Sequence, residues 1–254
     1  MINLEEMIAA AAMVGMRITG LMIFAPFLGN QSVPPRIKAM LALSLTALLY
    51  PAVARGQASL DITRLPQMAI SELLVGLLMG LCVNAVFDAL QLAGHVLGVQ
   101  MGFSLASLMD PQTQADTPVL SVFYQTMALL IFLRLDVHYW LLRGLTNSFD
   151  YLPAGTATLS GGATELMLRQ ASGIWYSGVQ IAAPVLAATM IADFVLAFVG
   201  RASPQLPVMF IGLSVKTVLG LFVVLATISL WPSMLERYYG EALATGERAL
   251  HLLR

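Results

Sequence analysis

Long apolar stretches, separated by shorter polar intervals, run along most of the chain. Pro34-Pro35 divides the first two stretches, and Pro51 followed by a polar segment ends the second. A helix that crosses a membrane needs about 20 mostly apolar residues, and several stretches approach or exceed that length. The pattern therefore predicts helices at residues 7–28, 37–54, 67–92, 118–133, 172–200 and 206–231.

Three segments depart from this apolar background. Residues 143–170 contain polar and glycine-rich groups and are predicted to form an exposed loop. Residues 233–254 are charged, but leucine and alanine recur at helical intervals, which predicts a short amphipathic helix. Residues 98–118 begin apolar and end polar, and Pro111 and Pro118 interrupt any helix there. A crossing by residues 94–109 would raise the number of spans from six to seven.

The composition fits a membrane protein better than a water-soluble one. Hydrophobic residues make up 58% of the chain and charged residues 11%, whereas soluble domains carry roughly 25% charged residues. The net charge of −1 gives no basis for a nucleic-acid partner. Glu5 and Glu6 precede the first apolar stretch without any lysine or arginine, so we expect that helix to be retained rather than cleaved as a signal. The predicted fold class is an all-α integral membrane protein.

Ionisable residues inside the predicted helices are the first candidates for function. A charged side chain at membrane depth costs about 2.5–3.5 kcal/mol on insertion scales, so it normally faces protein or water. The candidates are Arg17, Glu72, Asp88, Asp193 and Lys216. They are predicted to be buried polar residues that support assembly or line a polar path.

Small and polar residues recur every four positions in three places, which puts each set on one helix face. Such stripes let helix backbones approach closely in a membrane. The sets are Glu72, Gly76, Gly80, Asn84 and Asp88; Gly94, Gly98 and Gly102; and Gly212, Lys216 and Gly220. The pattern is compatible with ordinary helix packing and with a surface that meets other subunits.

Enzymatic chemistry has little support in the sequence. No metalloprotease, nucleophile-elbow or phosphate-loop motif occurs, and the three histidines and the single cysteine, Cys82, lack metal-ligand spacing. Asp88 and Asp193 lack any flanking motif for acid–base work. We therefore predict no catalytic residues, no metal and no cofactor.

Several separated motifs resemble the FliR family of the bacterial flagellar type III export apparatus, whose injectisome counterpart is the T component. The central motif is Gln100-Met-Gly-Phe-Ser-Leu-Ala106 followed by Asp110-Pro111. Further matching pieces lie at residues 17–20, 25–27, 33–38, 72–76, 138, 148–149, 152–155, 192–194 and 200–205. One departure is Pro207, where the family commonly has asparagine.

The resemblance implies a channel subunit of an export gate that conducts unfolded flagellar proteins across the bacterial inner membrane, at the flagellar basal body. It implies partners, namely several copies of FliP and FliQ together with FlhB and FlhA. It further implies a FliP-like part at residues 1–142, a connecting region at 143–175 and a FliQ-like hairpin with its tail at 176–254. The matched motifs add Gln100 and Arg201 to the predicted buried polar residues.

The resemblance also implies a loop that closes the channel, at about residues 106–118. Its predicted residues are Met109, Asp110, Pro111, Gln112, Thr113 and Gln114. From the residues alone, a surface loop between two helices is the other interpretation. Two other functions also remain open: an ion or small-molecule transporter that uses the buried carboxylates and Lys216, and an injectisome export-gate homologue.

Overall fold

The structure is a computed structural model, and most of its described residues lie in helices. It describes residues 4–26, 29, 33–53, 65–103, 119–153, 156–157, 161–203, 205 and 208–253. Eight α-helices and one short 3-10 turn lie in this part of the chain. The helices are α1 (Leu4–Phe24), α2 (Pro35–Val53), α3 (Leu65–Gln100), α4 (Val119–Arg134), α5 (Val137–Tyr151), α6 (Gly161–Ala202), α7 (Val208–Thr227) and α8 (Trp231–Leu252).

These helices confirm the predicted fold class. Among the described residues, four helical segments are long and apolar enough to cross a membrane. They are Met7–Phe24 in α1, Leu65–Gln100 in α3, Leu168–Ala202 in α6, and Phe210–Leu252, which includes most of α7, the 3-10 turn and α8. The pair α4 and α5 meets the same criterion together, but it is bent by 67°. At this bend Asp136 has φ of 56°, a left-handed conformation that aspartate adopts more readily than most residues.

Two predicted segment boundaries were wrong. Residues 143–170 are not one exposed loop, because α5 continues to Tyr151 and α6 already begins at Gly161. The predicted helix at 67–92 continues to Gln100. The tail helix is confirmed as α8, in which Leu235, Tyr239 and Ala242 are buried.

The chain divides into two compact units. The first unit comprises residues 1–86, 132–172 and 237–254, and the second comprises residues 87–131 and 173–236. Val14, Val75 and Leu145 are fully buried in the first unit. Leu90 and Leu97 are fully buried in the second. The division into FliP-like and FliQ-like parts around residues 143–175 stays a prediction.

Candidate functional site

A buried charged cluster in the first unit joins α1, α3 and the end of α5. Arg17 Nε donates a hydrogen bond to Glu72 Oε2 over 2.6 Å, and both side chains are fully buried. Arg17 Nη1 donates to Ser148 Oγ over 2.9 Å, and Nη2 donates to the carbonyl oxygen of Leu152 over 3.0 Å. All three nitrogen atoms of the guanidinium therefore have acceptors.

Further contacts surround the Arg17 guanidinium. Its guanidinium carbon lies 3.9 Å from the centroid of the Phe149 ring, within the range of a cation–π contact. The Leu152 carbonyl lies at the C-terminal end of α5, where a positive charge is favoured by the helix dipole. Ser148 Oγ also donates to the Leu145 carbonyl over 2.6 Å. A buried ion pair persists only when its remaining polar groups are satisfied in this way.

Close contact between α1 and α3 places Arg17 beside Glu72. A Cβ added at Gly76 would contact the backbone of Arg17 and lie 2.7 Å from Leu21 N. A Cβ at Gly80 would lie 2.6 Å from the Leu21 carbonyl oxygen. A Cβ added at Gly20 would likewise meet α3, at 3.0 Å from Leu77 N. The sequence identified Gly20 only as part of the family motif at residues 17–20, because it belongs to no four-residue repeat.

A second polar cluster lies in the second unit. Lys216 Nζ is 3.0 Å from Asp193 Oδ1, and Gln100 Nε2 donates to Asp193 Oδ2 over 3.2 Å. The Asp193 side chain is 46% exposed and the Lys216 side chain 19%. Three residues that the sequence singled out separately are thus brought together by α3, α6 and α7. Unlike Glu72, the Asp193 carboxylate is accessible from outside the chain.

The glycines at the end of α3 contact other helices of the second unit. A Cβ at Gly94 would lie 2.6 Å from Ser121 Cα, and Gly98 is buried. Gly102 has φ of +85° and abuts the Leu213 side chain. At this position a side chain would be strained by the backbone conformation as well as by the contact.

The glycines of α7 lie on one side of that helix. A Cβ at Gly220 would lie 2.6 Å from Met101 Sδ, and a Cβ at Gly212 would lie 3.1 Å from Leu196 Cδ1. Thr217 Oγ1, between them in sequence, donates to the Met101 carbonyl oxygen over 2.8 Å. This bond gives the Met101 carbonyl oxygen, just after the end of α3, a hydrogen-bond donor.

Neither cluster described above includes Asp88 or Arg201. Asp88 is half-buried and belongs to the second unit, whereas Glu72 belongs to the first. Arg201 and Asp193 are exposed, so their predicted burial does not hold within the chain by itself. Both lie on α6, which has little covering from the rest of the chain. Met109, Asp110, Pro111, Gln112, Thr113 and Gln114 of the predicted channel-closing loop lie outside the described residues.

The chemistry of the first cluster is structural. Glu72 is enclosed and paired at short distance, so it is poorly placed to bind and release an ion from water. No group of three or more potential metal ligands occurs among the residues that the structure describes. Both clusters connect helices to one another. Ser148 and Leu152 are the members that we did not predict as site residues.

Comparisons with known proteins agree with this architecture. The profile of the family described as "Bacterial export proteins, family 1" matches residues 8–242. The chain is 29% identical over 226 residues to the flagellar biosynthetic protein FliR of Escherichia coli K12, covering 89% of this chain and 87% of that protein. It is 30% identical over 231 residues to FliR of Bacillus subtilis 168, covering 89% of each. FliR of Aquifex aeolicus VF5 is 30% identical over 229 residues, covering 89% of this chain and 88% of the relative. A chain whose described residues lie mostly in helices, several of them apolar and long enough to cross a membrane, and that matches these proteins over most of its length belongs to the FliR family of bacterial export proteins.

Proposed function

We propose that this chain is a core channel subunit of the flagellar type III export gate. In this role it helps to conduct unfolded flagellar proteins across the bacterial inner membrane, as a multi-pass component of the basal body. Its partners are several copies of FliP and FliQ, with FlhB and FlhA. The similarity to proteins named flagellar biosynthetic protein FliR, over 89% of the chain, supports a flagellar role over an injectisome one.

The observation that carries the assembly role is the partly exposed Asp193–Lys216 pair on apolar helices. In an apolar 18-residue stretch of Leu168–Ala202, only 28% of the residues are buried inside the chain, and in a corresponding stretch of Phe210–Leu252 only 17% are. Lipid would cover apolar surface, but it leaves a charged pair poorly solvated. A partner protein covers both kinds of surface, so these helices fit a subunit whose neighbours complete its packing.

A transporter that uses the buried carboxylates has less support. Its coupling residue would have to gain and lose a ligand, whereas Glu72 is fully buried and bonded to Arg17 over 2.6 Å. Asp193 is accessible, but it is already paired with Lys216. The geometry suits fixed helices better than a site that cycles between states.

We assign channel closure to residues 106–118, which we name the plug loop. The assignment rests on the family resemblance and on the residues themselves. Pro111 and Pro118 prevent a continuous helix, and Gln112, Thr113 and Gln114 offer uncharged hydrogen-bonding groups. Irregular backbone at membrane depth is tolerated when it is buried in protein or lines a cavity.

Shortening the plug loop by deleting residues 110–116 should make the assembled gate leak small ions. A shorter loop cannot occlude the same cross-section, so an aqueous path stays open. Conductance of membranes that contain the complete gate should rise at least tenfold. A same-length variant in which Gln112, Thr113 and Gln114 are replaced by serine is the control. Unchanged conductance in the deletion variant would count against the plug assignment.

Replacing Asp193 with leucine should reduce flagellar protein secretion at least tenfold. The change leaves Lys216 without its carboxylate in an apolar helix, at an expected cost of about 2.5–3.5 kcal/mol. Secreted flagellar protein in the medium and the amount of assembled complex are measured together. The exchange Asp193→Lys with Lys216→Asp is the matched control, because it restores the pair. Normal secretion by the Asp193→Leu variant would show that the Asp193–Lys216 pair is not needed for assembly.

The proposed function as a whole is tested by purification and complementation. The tagged chain should co-purify with several copies of two other small membrane proteins, and it should restore motility to cells that lack their own FliR. A monodisperse chain that binds a solute and recruits no other protein would overturn the proposal.

A further inference from the structure

A cavity of about 300 Å³ opens within the first unit, between α3, α5 and α8. Met79, Cys82 and Leu141 form its apolar part. Arg143 on α5 and Glu247 on α8 lie among its polar lining residues, and both are exposed. Neither cluster described above includes any of these residues. The proposed channel role does not use the cavity.

Glycines on two of the three helices keep this cavity open. A Cβ at Gly240 would meet no atom within 4 Å. At Gly144 the nearest atom would be Met79 Cε at 3.6 Å, and at Gly246 it would be Cys82 Cβ at 3.8 Å. All three line the cavity. None of these positions is compressed, whereas a Cβ at Gly76 would collide with backbone.

Glycine is unfavourable in the interior of a helix, where only proline is worse. Close helix contact explains Gly76, Gly80 and Gly94, but it does not explain Gly240, because no atom lies near enough to exclude a methyl group. What the three cavity glycines share is the empty volume in front of them. Their effect is to leave room for a group that the chain does not supply.

The charges at the cavity indicate what that group is attached to. Within the described residues, the side chains of Arg143 and Glu247 form no ion pair. They lie on different helices and have opposite signs. The molecule that bears the entering apolar group would complement these charges if it carried an anionic group near Arg143 and a cationic group near Glu247.

We propose that the cavity receives one large apolar side chain of a partner polypeptide in the export assembly. The partner segment carries an acidic residue that meets Arg143 and a basic residue that meets Glu247. Insertion of one helix's side chain into a hole on another is a common mode of helix packing, and buried apolar anchors in pockets dominate interface energies. This inference rests on the proposed function as an assembly subunit.

A polypeptide fits better than a lipid or a small molecule. A volume of about 300 Å³ is at the lower end of pockets that take a small molecule, but it is ample for one side chain. The wall formed by α8 also belongs to a helix with charged residues throughout, which does not suit the acyl region of a bilayer. These charges are Glu236, Arg237, Glu241, Glu247 and Arg248.

Cys82 is the only cysteine of the chain and lines the cavity with 4% of the residue exposed, so a further loss of access to its thiol reports on occupancy. The full chain is reacted with a small methanethiosulfonate reagent in three forms: alone in detergent, alone in phosphatidylethanolamine–phosphatidylglycerol nanodiscs, and in the purified assembly. We expect comparable labelling rates in the first two forms and at least a tenfold lower rate in the assembly.

Each other outcome of the labelling overturns the inference. Protection that is already present in the nanodiscs assigns the cavity to a lipid. Equal rates in all three forms show that the assembly does not fill the cavity. Absence of labelling in all three shows that a reagent of this size cannot reach the Cys82 side of the cavity, so no large side chain can fill it.

A substitution series separates filling from mere covering. Gly240→Ala, Gly240→Leu and Gly240→Phe should lower the yield of assembled complex progressively, with at least a tenfold loss for the largest, because each occupies more of the cavity. Gly240→Ala should not lower the melting temperature of the chain alone, because the added Cβ meets no atom within 4 Å. The melting temperatures of the leucine and phenylalanine variants are measured as well, so that loss of folding is distinguished from loss of assembly. Glu241→Leu, at the neighbouring exposed position outside the cavity lining, is the matched control and should assemble normally.

The two proposals fail in different ways. If Gly240→Leu assembles and secretes like the native chain, the cavity has no such occupant, and the proposed channel role is unaffected. If the native chain recruits no other export component, both proposals fail.

Discussion

Replacing Glu72 with leucine should lower the free energy of unfolding by about 3–5 kcal/mol, because it leaves the fully buried Arg17 without its carboxylate. Typical domains have only about 5–15 kcal/mol of stability in total. The variant should therefore accumulate poorly in membranes and fail to assemble. Thermal unfolding of the detergent-solubilised chain measures the effect directly. The amount of full-length chain in membranes gives a second measurement.

Two controls distinguish loss of the buried pair from loss of any ion pair. The double variant Arg17→Leu with Glu72→Leu should regain part of the stability, since no lone charge remains buried. Glu165→Leu removes an exposed pair, in which Arg169 Nη2 lies 2.7 Å from Glu165 Oε1, and should change stability by less than about 1 kcal/mol. Equal effects for Glu72→Leu and Glu165→Leu would contradict the assigned role of the buried cluster.

Substituting Gly76 with alanine should be the most damaging single-methyl change in the first unit. The added Cβ would collide with the backbone of Arg17 and lie 2.7 Å from Leu21 N. Backbone atoms cannot move aside as a flexible side chain does, so α1 must shift. Overpacking typically costs about 1–3 kcal/mol, and more where the backbone must move. The melting temperature of the chain and its protection from protease both measure this loss.

Gly240→Ala is the matched control for this prediction. It adds the same methyl group to a helix of the same unit at a position with no atom within 4 Å, and alanine favours a helix more than glycine does. Its stability should be unchanged or slightly raised. A comparable loss in both variants would show that close contact between α1 and α3 is not the reason for Gly76.

The helical membrane fold was predictable because apolar length is a strong signal in a sequence. The start of α4 at Val119 lies one residue from the predicted position. The prediction failed between residues 143 and 170, where polar residues such as Asp150 obscured a helix. In α5 the buried residues Val137, Leu141 and Leu145 recur every four positions, a periodicity we did not weigh against the polar content.

The candidate site was predictable in its charges but not in its connections. Arg17 and Glu72 were identifiable because charges are rare in apolar helices, yet nothing in their spacing shows that they pair with each other. Ser148 acts through a hydroxyl and Leu152 through a backbone carbonyl. A carbonyl is present in every residue, so its use as an acceptor has no sequence signature. Only the folded chain shows which one faces the guanidinium.

The wide separation of these partners along the chain has a consequence for biosynthesis. Glu72 follows Arg17 by 55 residues and Leu152 follows it by 135. At a synthesis rate of about 5–20 residues per second, Arg17 waits roughly 3–11 s for its carboxylate and roughly 7–27 s for the carbonyl. Throughout that interval α1 carries a positive charge without its final partners. α1 therefore reaches its final environment only after α5 has been made, and a ribosome that stalls before α5 leaves it unfinished.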